Sequence, residues 1–331
     1  MSFLSKPWAA ATVARGMQWL MPLGSSFMRL KAKSVFPEHP GNRTKITIPT
    51  SIAPARAVVY RPAEEVLNPP VYVNFHGGGF VMRGIELDDP LCRFLAAEAG
   101  VVVINVDYAV APKHKFPDPI RQAYETVRWI AAHSSEHGWD GSRLAVGGQS
   151  AGGAIAAGVA RLAWELGGPR LSLQVLHYPP LDLTTPARNK GSIITKPMLS
   201  PWMGDVFDNA YAPDADSRSD RLASPAADTD TTDLRGIAPC LVITAEHDRL
   251  HNEGRRYAER LKRVGALLEH RTVLGADHAY DMSDRETART IYTLIASHVR
   301  RSTSPTAGLR FDGTETTVME PVQVTPKDPR R

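Results

Sequence analysis

One five-residue stretch limits what this chain can fold into more than any other, namely Gly148-Gln149-Ser150-Ala151-Gly152. It follows an apolar run typical of a buried strand and precedes a run of small residues typical of a helix. A G-x-S-x-G between strand and helix is the pattern of a nucleophile elbow, a turn so tight that only glycine fits two residues before and two residues after the serine. The pattern places Ser150 at a helix N-terminus, where unpaired N–H groups favour an oxyanion. The alternative is an ordinary turn in which the serine only caps the helix.

Apolar runs alternate with helical patterns along most of the chain. Continuous β-branched runs such as 101–106 are typical of strands covered on both faces of a parallel sheet. The alternation therefore favours an open, mostly parallel α/β sheet that binds ligands beyond the carboxyl ends of its strands. The predicted strands are 45–49, 57–60, 71–75, 101–106, 143–147, 171–176, 240–244 and 268–273, and the predicted helices include 87–99, 253–264 and 284–300.

Three segments depart from this alternation. Residues 1–40 predict one or two helices, broken at Pro22. Residues 183–225 carry aromatic side chains among many Pro, Asp and Ser and have no strand pattern, as in a lid or a binding element. Residues 301–331 are rich in Thr, Pro and charge, which predicts a disordered tail.

A nucleophilic serine needs a base, an orienting acid and donors for an oxyanion. In an elbow fold the acid and then the histidine follow the serine along the chain, each after a strand. His278 is the histidine that follows the last predicted strand. After the strand that ends at Thr244, Glu246 and Asp248 are the candidate acids, and Asp248 is favoured. The alternative role of Asp248 is to cap the helix that follows.

A second motif, His76-Gly77-Gly78-Gly79, follows the predicted strand 71–75. Consecutive glycines let backbone N–H groups point at one spot without obstruction by Cβ atoms, as in an HGGG-type oxyanion loop. The N–H groups of Gly78 and Gly79, joined by that of Ala151, are the expected donors. His76 and Gly77 are expected to support the loop, and a plain flexible turn is the alternative.

Further motifs accompany these in a fixed order, at Asp107-Tyr108 through Phe116-Pro117, Tyr178-Pro179, Ser224-Pro225 and the segment from Pro239 to His278. With them the chain resembles the hormone-sensitive-lipase family of α/β-hydrolases, in its bacterial HGGG esterase and lipase branch. The resemblance implies an α/β-hydrolase fold, an eight-stranded mostly parallel sheet with helices on both faces and a helical cap. It divides the chain into an N-terminal cap segment at 1–40, a catalytic domain at 41–300 with a cap insertion at about 183–225, and a tail at 301–331.

The resemblance also implies an activity, the hydrolysis of carboxylic esters through an acyl-enzyme without any cofactor. By motif match, the catalytic triad is Ser150, Asp248 and His278. The same triad would serve an acyltransferase, which gives ester in preference to free acid when an alcohol is added. A non-catalytic ligand receptor on the same scaffold is the other alternative, and it would leave Ser150 unlabelled by a fluorophosphonate.

Three departures from the family pattern lie next to the triad. Gln149 stands where the family usually has Asp, Arg249 where it has Pro, and Ala279-Tyr280 where it has Gly-Phe. None of them removes a triad atom. Gln149 lacks the charge that the family usually has beside the nucleophile, so the family does not predict the pH profile of this chain. Arg249 lacks the constraint that proline puts on the acid loop.

Composition bears on partners and metals. The net charge of +4 is spread along the chain, and its basic spots lack interleaved aromatic residues, so nucleic-acid binding is not expected. No Cys/His cluster has the spacing of metal ligands, so no metal site is predicted. Cys92 and Cys240 are expected to be buried free thiols.

The substrate is expected to be a small-molecule or lipid ester. The candidate pocket and cap residues are Phe80, Trp202, Phe207 and Tyr211, although such residues also pack a cap on a sheet without touching substrate. The family implies short to medium acyl chains as the default. It also implies pairing into a homodimer. The amphipathic N-terminal segment either packs on the domain or makes peripheral contact with a membrane. The predicted location is cytoplasmic, with membrane association as the alternative.

Overall fold

A single sheet forms the centre of the fold in the computed structural model, which describes residues 3–62, 64 and 66–305. Its strands are Asn42–Ile48 (β1), Ala55–Arg61 (β2), Pro70–Phe75 (β3), Val102–Asp107 (β4), Asp140–Gln149 (β5), Leu171–His177 (β6), Cys240–Ala245 (β7) and Leu267–Val273 (β8). They lie in the order β1-β2-β4-β3-β5-β6-β7-β8. β2 pairs antiparallel with β1 and with β4, and all other neighbours are parallel. The predicted eight-stranded, mostly parallel sheet is confirmed.

Helices cover the sheet on both faces. They are Pro7–Ser34 (α1), Asp89–Ala99 (α2), Asp118–Ala132 (α3), Ser134–His137 (α4), Ala151–Glu165 (α5), Pro201–Tyr211 (α6), Ala215–Ser219 (α7), His251–Arg263 (α8) and Arg285–Ser302 (α9). Successive strand residues point to opposite faces. Val71 and Val73 therefore belong to the hydrophobic cluster that includes α3, α5 and α8, whereas Tyr72 belongs to the cluster that includes α2 and α9. Both cysteines are buried and free, as expected.

The N-terminal segment forms one long helix, and the predicted break at Pro22 is wrong. α1 runs from Pro7 to Ser34 without interruption. A proline inside a helix removes one N–H donor, but tertiary packing supplies most of the stability of a helix in a protein. Here α1 packs against α6 and against the short 3-10 helix Phe3–Ser5.

The segment between β6 and β7 holds α6, α7 and the 3-10 helix Ala187–Asn189, and none of its residues is in a strand. Because α6 packs on α1, the N-terminal helix and this insertion are in contact. Their treatment as one cap separate from a catalytic domain stays a prediction.

At the other end of the chain, Arg301 and Ser302 complete α9. The rest of the predicted tail, from residue 306 onward, lies outside the described residues. Within the part of the chain that the structure describes, no helix combines the length and the apolar character needed to cross a membrane.

Candidate active site

The turn at Ser150 joins β5 directly to α5. Its φ of 53° and ψ of −124° are strained for a residue other than glycine. The backbone N–H of Ser150 donates to the His177 carbonyl at 2.9 Å, which ties the turn to the neighbouring strand. A Cβ atom on either Gly148 or Gly152 would overlap the carbonyl oxygen of Phe75. Glycine is therefore needed on both sides of the serine, as the motif predicts.

Three side chains singled out from the sequence meet at the carboxyl ends of β5, β7 and β8. The Nε2 atom of His278 lies 2.9 Å from Ser150 Oγ, and its Nδ1 atom lies 2.6 Å from Asp248 Oδ2. The other oxygen of Asp248 accepts the N–H of Leu250 at 3.0 Å, so this carboxylate also stabilises its own loop. The competing acid, Glu246, instead accepts the backbone N–H of Gly275.

The pKa of His278 reflects two opposing effects. Burial alone would lower it, because desolvation penalises the imidazolium form. The charge and the hydrogen bond of Asp248 act in the other direction and outweigh burial, so the pKa of His278 lies above its usual 6.5. Asp277 and Asp281 raise it further. An imidazole in this environment can accept the proton of Ser150 and hold the positive charge that results.

The glycine loop after β3 lies beside the same turn. Gly78 and Gly79 have φ values of 124° and 61°, which L side chains rarely adopt. A Cβ atom on Gly78 would lie 2.7 Å from the carbonyl oxygen of Met82, and one on Gly79 would overlap the ring of Phe207. Gly79 and Ser150 line one cavity.

The N–H of Ala151 is a candidate donor of a different kind. Ala151 is the first residue of α5, so its N–H has no acceptor within the helix. It directly follows the serine, at the end of the helix where the dipole favours negative charge.

His76 is fully buried behind the glycine loop. Its ring stacks on Tyr108 with 4.5 Å between centroids, and its Nδ1–H donates to the carbonyl of Gly77 at 2.7 Å. Its Nε2 atom faces Asp107 Oδ1 at 3.7 Å. These contacts place His76 against the glycine loop, and the supporting role of His76 and Gly77 stays a prediction.

A small, mostly apolar cavity of about 60 Å³ opens beside Ser150. Of the four candidate pocket residues, Phe80 and Phe207 line it. Tyr211 is buried behind Phe80, with 4.0 Å between the stacked ring centroids, and Trp202 is 49% exposed at the start of α6. Around the cavity, as in all the described residues, no three His, Cys, Asp or Glu side chains are placed to hold a metal ion.

A buried ion pair at the cavity wall has no signal in the sequence. Lys190 Nζ lies 2.8 Å from Glu253 Oε2, and both side chains are under 10% exposed. Burial raises the pKa of Glu253 to about 7, although the nearby Lys190 opposes the rise. Burial would lower the pKa of Lys190, but the charges of Glu253 and Asp208 hold it above its usual value. Lys190 comes from the insertion and Glu253 from α8, so only the fold brings them together.

The insertion is also bonded to the loops that carry the acid and the base. Arg249 donates through its guanidinium to the Lys190 carbonyl. The backbone N–H of Met198 donates to Asp277 Oδ2 at 2.6 Å, one residue before His278. Arg249 thus fastens the acid loop by a side-chain bond, at the position where the family pattern has the constraint of proline.

Comparisons with known proteins agree with the fold. Residues 72–282 match a family model described as alpha/beta hydrolase fold. Carboxylesterase NlhH of Mycobacterium tuberculosis is 38% identical over 213 residues, which is 64% of this chain and 66%, just under two thirds, of that enzyme. Esterase LipI of the same organism is 33% identical over 249 residues, 74% of this chain and 77% of LipI. A solved esterase structure from Pyrobaculum calidifontis has a TM-score of 0.77 at 33% identity and covers 87% of this chain and 92% of its own.

Proposed function

We propose, from the premise that this chain belongs to the α/β-hydrolase family of hormone-sensitive-lipase-like carboxylic ester hydrolases, that it cleaves esters through a Ser150-His278-Asp248 triad and an acyl-enzyme. One observation carries the proposal. An unbroken line of contacts runs from Ser150 Oγ through the imidazole of His278 to Asp248 Oδ2, at 2.9 and 2.6 Å. These are the distances at which a base removes a proton from a nucleophile while a carboxylate orients the base.

In the first half of the reaction, Ser150 Oγ attacks the ester carbonyl carbon while His278 Nε2 takes its proton. The carbonyl oxygen becomes an oxyanion, which accepts hydrogen bonds from the N–H groups of Gly78, Gly79 and Ala151. Loss of one such donor costs about 3–4 kcal/mol of barrier. The intermediate collapses when the bond to the alcohol oxygen breaks, and His278 gives its proton to that oxygen. The acyl group is then bound to Ser150.

In the second half, water replaces the alcohol. His278 removes a proton from the water as its oxygen attacks the acyl carbon, and the same N–H groups stabilise the second oxyanion. The bond to Ser150 Oγ then breaks, and His278 returns the proton to that oxygen. The products are a carboxylic acid and the free enzyme.

The size and lining of the cavity support a short acyl chain. Phe80 and Phe207 make its wall apolar, and its volume of about 60 Å³ leaves little room beside Ser150. Lys190 also lines the cavity, and its charge is paired with that of Glu253. A short, uncharged acyl group therefore fits this site best.

The outer face of α1 supports peripheral contact with an anionic membrane surface. Trp8 and Trp19 are 60% and 77% exposed and stand about three turns apart, so they lie on one face with Arg15 between them. Residues 1–37 contain five Lys or Arg and no Asp or Glu. Exposed tryptophans beside cations, in a segment without acidic residues, are typical of helices that bind anionic lipid surfaces.

The inner face of α1 links this surface to the site. The side-chain amide of Gln18 donates to the carbonyls of Val81 at 2.6 Å and of Ala111 at 2.8 Å. Val81 lies two residues after Gly79 of the glycine loop. If the outer face of α1 binds a membrane, α1 therefore lies between that membrane and the segment that follows the glycine loop.

The test of the triad is turnover of p-nitrophenyl esters of increasing acyl length by the wild type and by Ser150→Ala. We expect the wild type to prefer the acetyl and butyryl esters, and Ser150→Ala to lose at least about a thousandfold in kcat. Ser219→Ala, which changes an exposed serine of α7, is the control and should leave kcat unchanged. A fluorophosphonate should label the wild type and not Ser150→Ala. Full turnover by Ser150→Ala would overturn the proposal.

A further inference from the structure

A buried carboxylate with three hydrogen-bond donors lies directly behind the nucleophile turn. Asp281, in the 3-10 helix Tyr280–Met282, is 7% exposed. Its Oδ1 atom accepts the hydroxyl of Tyr178 at 2.7 Å. Its Oδ2 atom accepts the hydroxyl of Tyr292 at 2.7 Å and also the side-chain amide of Gln149. Three donors therefore converge on a side chain whose ionised form only accepts hydrogen bonds.

Gln149 connects this carboxylate to the nucleophile. It is the last residue of β5 and immediately precedes Ser150. Its side-chain nitrogen carries two hydrogens, one directed to the hydroxyl of Tyr178 at 2.8 Å and the other to Asp281. A carboxylate at position 149 would instead face Asp281 with a like charge in a buried place, which is costly. The amide of Gln149, which donates, and the carboxylate of Asp281, which accepts, are therefore complementary.

Tyr178 connects the same carboxylate to the base. Its ring packs edge-on against the ring of His278, with 4.8 Å between centroids. The backbone N–H of Tyr178 donates to the carbonyl of Ile243 at 2.7 Å, and Tyr178 has a positive φ of 40°. The hydrogen-bonded group formed by Gln149, Tyr178 and Asp281 therefore contacts the nucleophile turn through Gln149 and the imidazole through Tyr178. Tyr292 anchors it to α9.

We propose that Asp281 is a positioning residue, which supplies a buried negative charge behind His278 and, through Gln149 and Tyr178, holds the nucleophile turn and the imidazole in their mutual arrangement. The proposal rests on the triad mechanism proposed above. The charge stabilises the imidazolium that forms as Ser150 attacks, and the hydrogen bonds keep the reacting atoms at attacking distance.

The charge balance around Asp281 is consistent with this role. Burial raises the pKa of Tyr178, Tyr280 and Tyr292, so their hydroxyls stay neutral, and burial lowers the pKa of His177 to about 4. Burial raises the pKa of Asp88, a further carboxyl near the network, to about 6. The titratable groups that face Asp281 are Tyr178, Tyr280, Tyr292, His177, His278 and Asp88.

The first experiment measures kcat and the pH profile of kcat/KM for Asp281→Asn with p-nitrophenyl acetate. The substitution keeps the shape of the side chain and removes its charge. We expect kcat to fall by about tenfold to a hundredfold, and the acid limb to move to lower pH because His278 loses a nearby anion. A residue with a purely structural role would lower the amount of folded enzyme without moving the limb. The control is Tyr292→Phe, which removes one donor and leaves the charge, so its limb should stay in place.

The second experiment exchanges the two groups. Gln149→Glu alone puts two carboxylates in contact and should lower kcat by about tenfold or more. The double variant Q149E/D281N restores one carboxylate and one amide in exchanged positions. We expect it to exceed Gln149→Glu in kcat by about tenfold, because coupled sites are not additive, and to return the acid limb toward that of the wild type.

The outcomes separate this inference from the triad proposal. An inactive Ser150→Ala together with an unmoved acid limb in Asp281→Asn would overturn the role of Asp281 and leave the triad standing. A kcat of Q149E/D281N no higher than that of Gln149→Glu would also overturn the role of Asp281. If Asp281→Asn yields no folded protein, Gln149→Met tests the link to the nucleophile, since it keeps the volume and removes both hydrogen bonds. Wild-type kcat in a folded Gln149→Met would overturn the proposal.

Discussion

At the scale of single residues, the behaviour of the site depends on what surrounds the imidazole of His278. Asp248 contacts one nitrogen and Ser150 the other, while the ring itself is buried. Burial works against the charged form, and the adjacent carboxylate more than offsets it. In the proposed mechanism, the protonation of this one side chain sets the pH range in which the enzyme works.

We expect kcat/KM to rise with pH through an apparent pKa above 6.5. The neutral imidazole is the active form, and the pKa of His278 is held above 6.5 by Asp248, so activity is lost as the pH falls through that raised value. Asp248→Asn should cut kcat about ten-thousandfold. The measurement is kcat/KM for p-nitrophenyl acetate across about pH 5 to 9. A wild-type midpoint below 6.5 would contradict the electrostatic account of His278.

At the scale of elements, the insertion and α8 are joined by the buried pair Lys190–Glu253. Glu253 also accepts the backbone N–H of Leu181 at 2.8 Å through its other oxygen. Because both side chains are buried, the charge of each depends on the other for compensation. This pair fastens one wall of the cavity to the helix that follows the acid loop.

Lys190→Met should destabilise the protein by about 3 kcal/mol, because it leaves Glu253 buried without its counter-charge. Glu253 can then escape the penalty only by binding a proton, which becomes harder as pH rises, so the loss should be greater near pH 8 than near pH 6. Urea unfolding at the two pH values measures the effect. Lys196→Met is the matched control, because Lys196 is exposed in the same insertion, and it should cost little. Equal stability of the two variants would show that the buried pair has no such role.

At the scale of the whole molecule, the outer face of α1 predicts binding to anionic vesicles. The variant W8A/W19A should lose at least about tenfold in its partition onto vesicles that contain phosphatidylglycerol, because two large aromatic anchors are removed. Sedimentation with such vesicles and with pure phosphatidylcholine measures the partition. Leu166→Ala, which removes a side chain that is 64% exposed at the end of α5, is the control.

Two results would count against the membrane surface. One is equal sedimentation of W8A/W19A and the wild type with the phosphatidylglycerol vesicles. The other is a shift from dimer to monomer in W8A/W19A, measured by analytical ultracentrifugation, which would assign the face to a second copy of the chain.

Much of the fold follows from local pattern. The run 101–106 is apolar on every residue but one, and most of it lies in β4, an interior strand of the sheet, because a strand covered on both faces needs such residues. The glycines of the Ser150 turn and of the loop after β3 are needed where backbones approach closely, and this requirement is visible in the sequence. The order of serine, acid and histidine then identifies the side chains that the structure brings together.

Contacts between distant segments are not predictable in this way. The sequence around Pro22 predicts a break, yet α1 continues through this position and packs on α6, a segment almost 180 residues away. Trp202 and Phe207 have the same apolar character in the sequence, yet Phe207 lines the cavity and Trp202 is on the surface. Burial depends on which faces of two elements meet, and periodicity within one element does not contain that information.

The sequence by itself determined the sheet, the nucleophile turn and the order of the triad residues, because each depends on backbone sterics or on hydrophobic periodicity over a few residues. Only the tertiary structure decided what surrounds them. The sequence shows that Gln149 lacks a charge, and the fold places the charge of Asp281 against it from 132 residues away. A buried carboxylate is stable only where donors from several elements converge on it, and that convergence exists only in the folded chain.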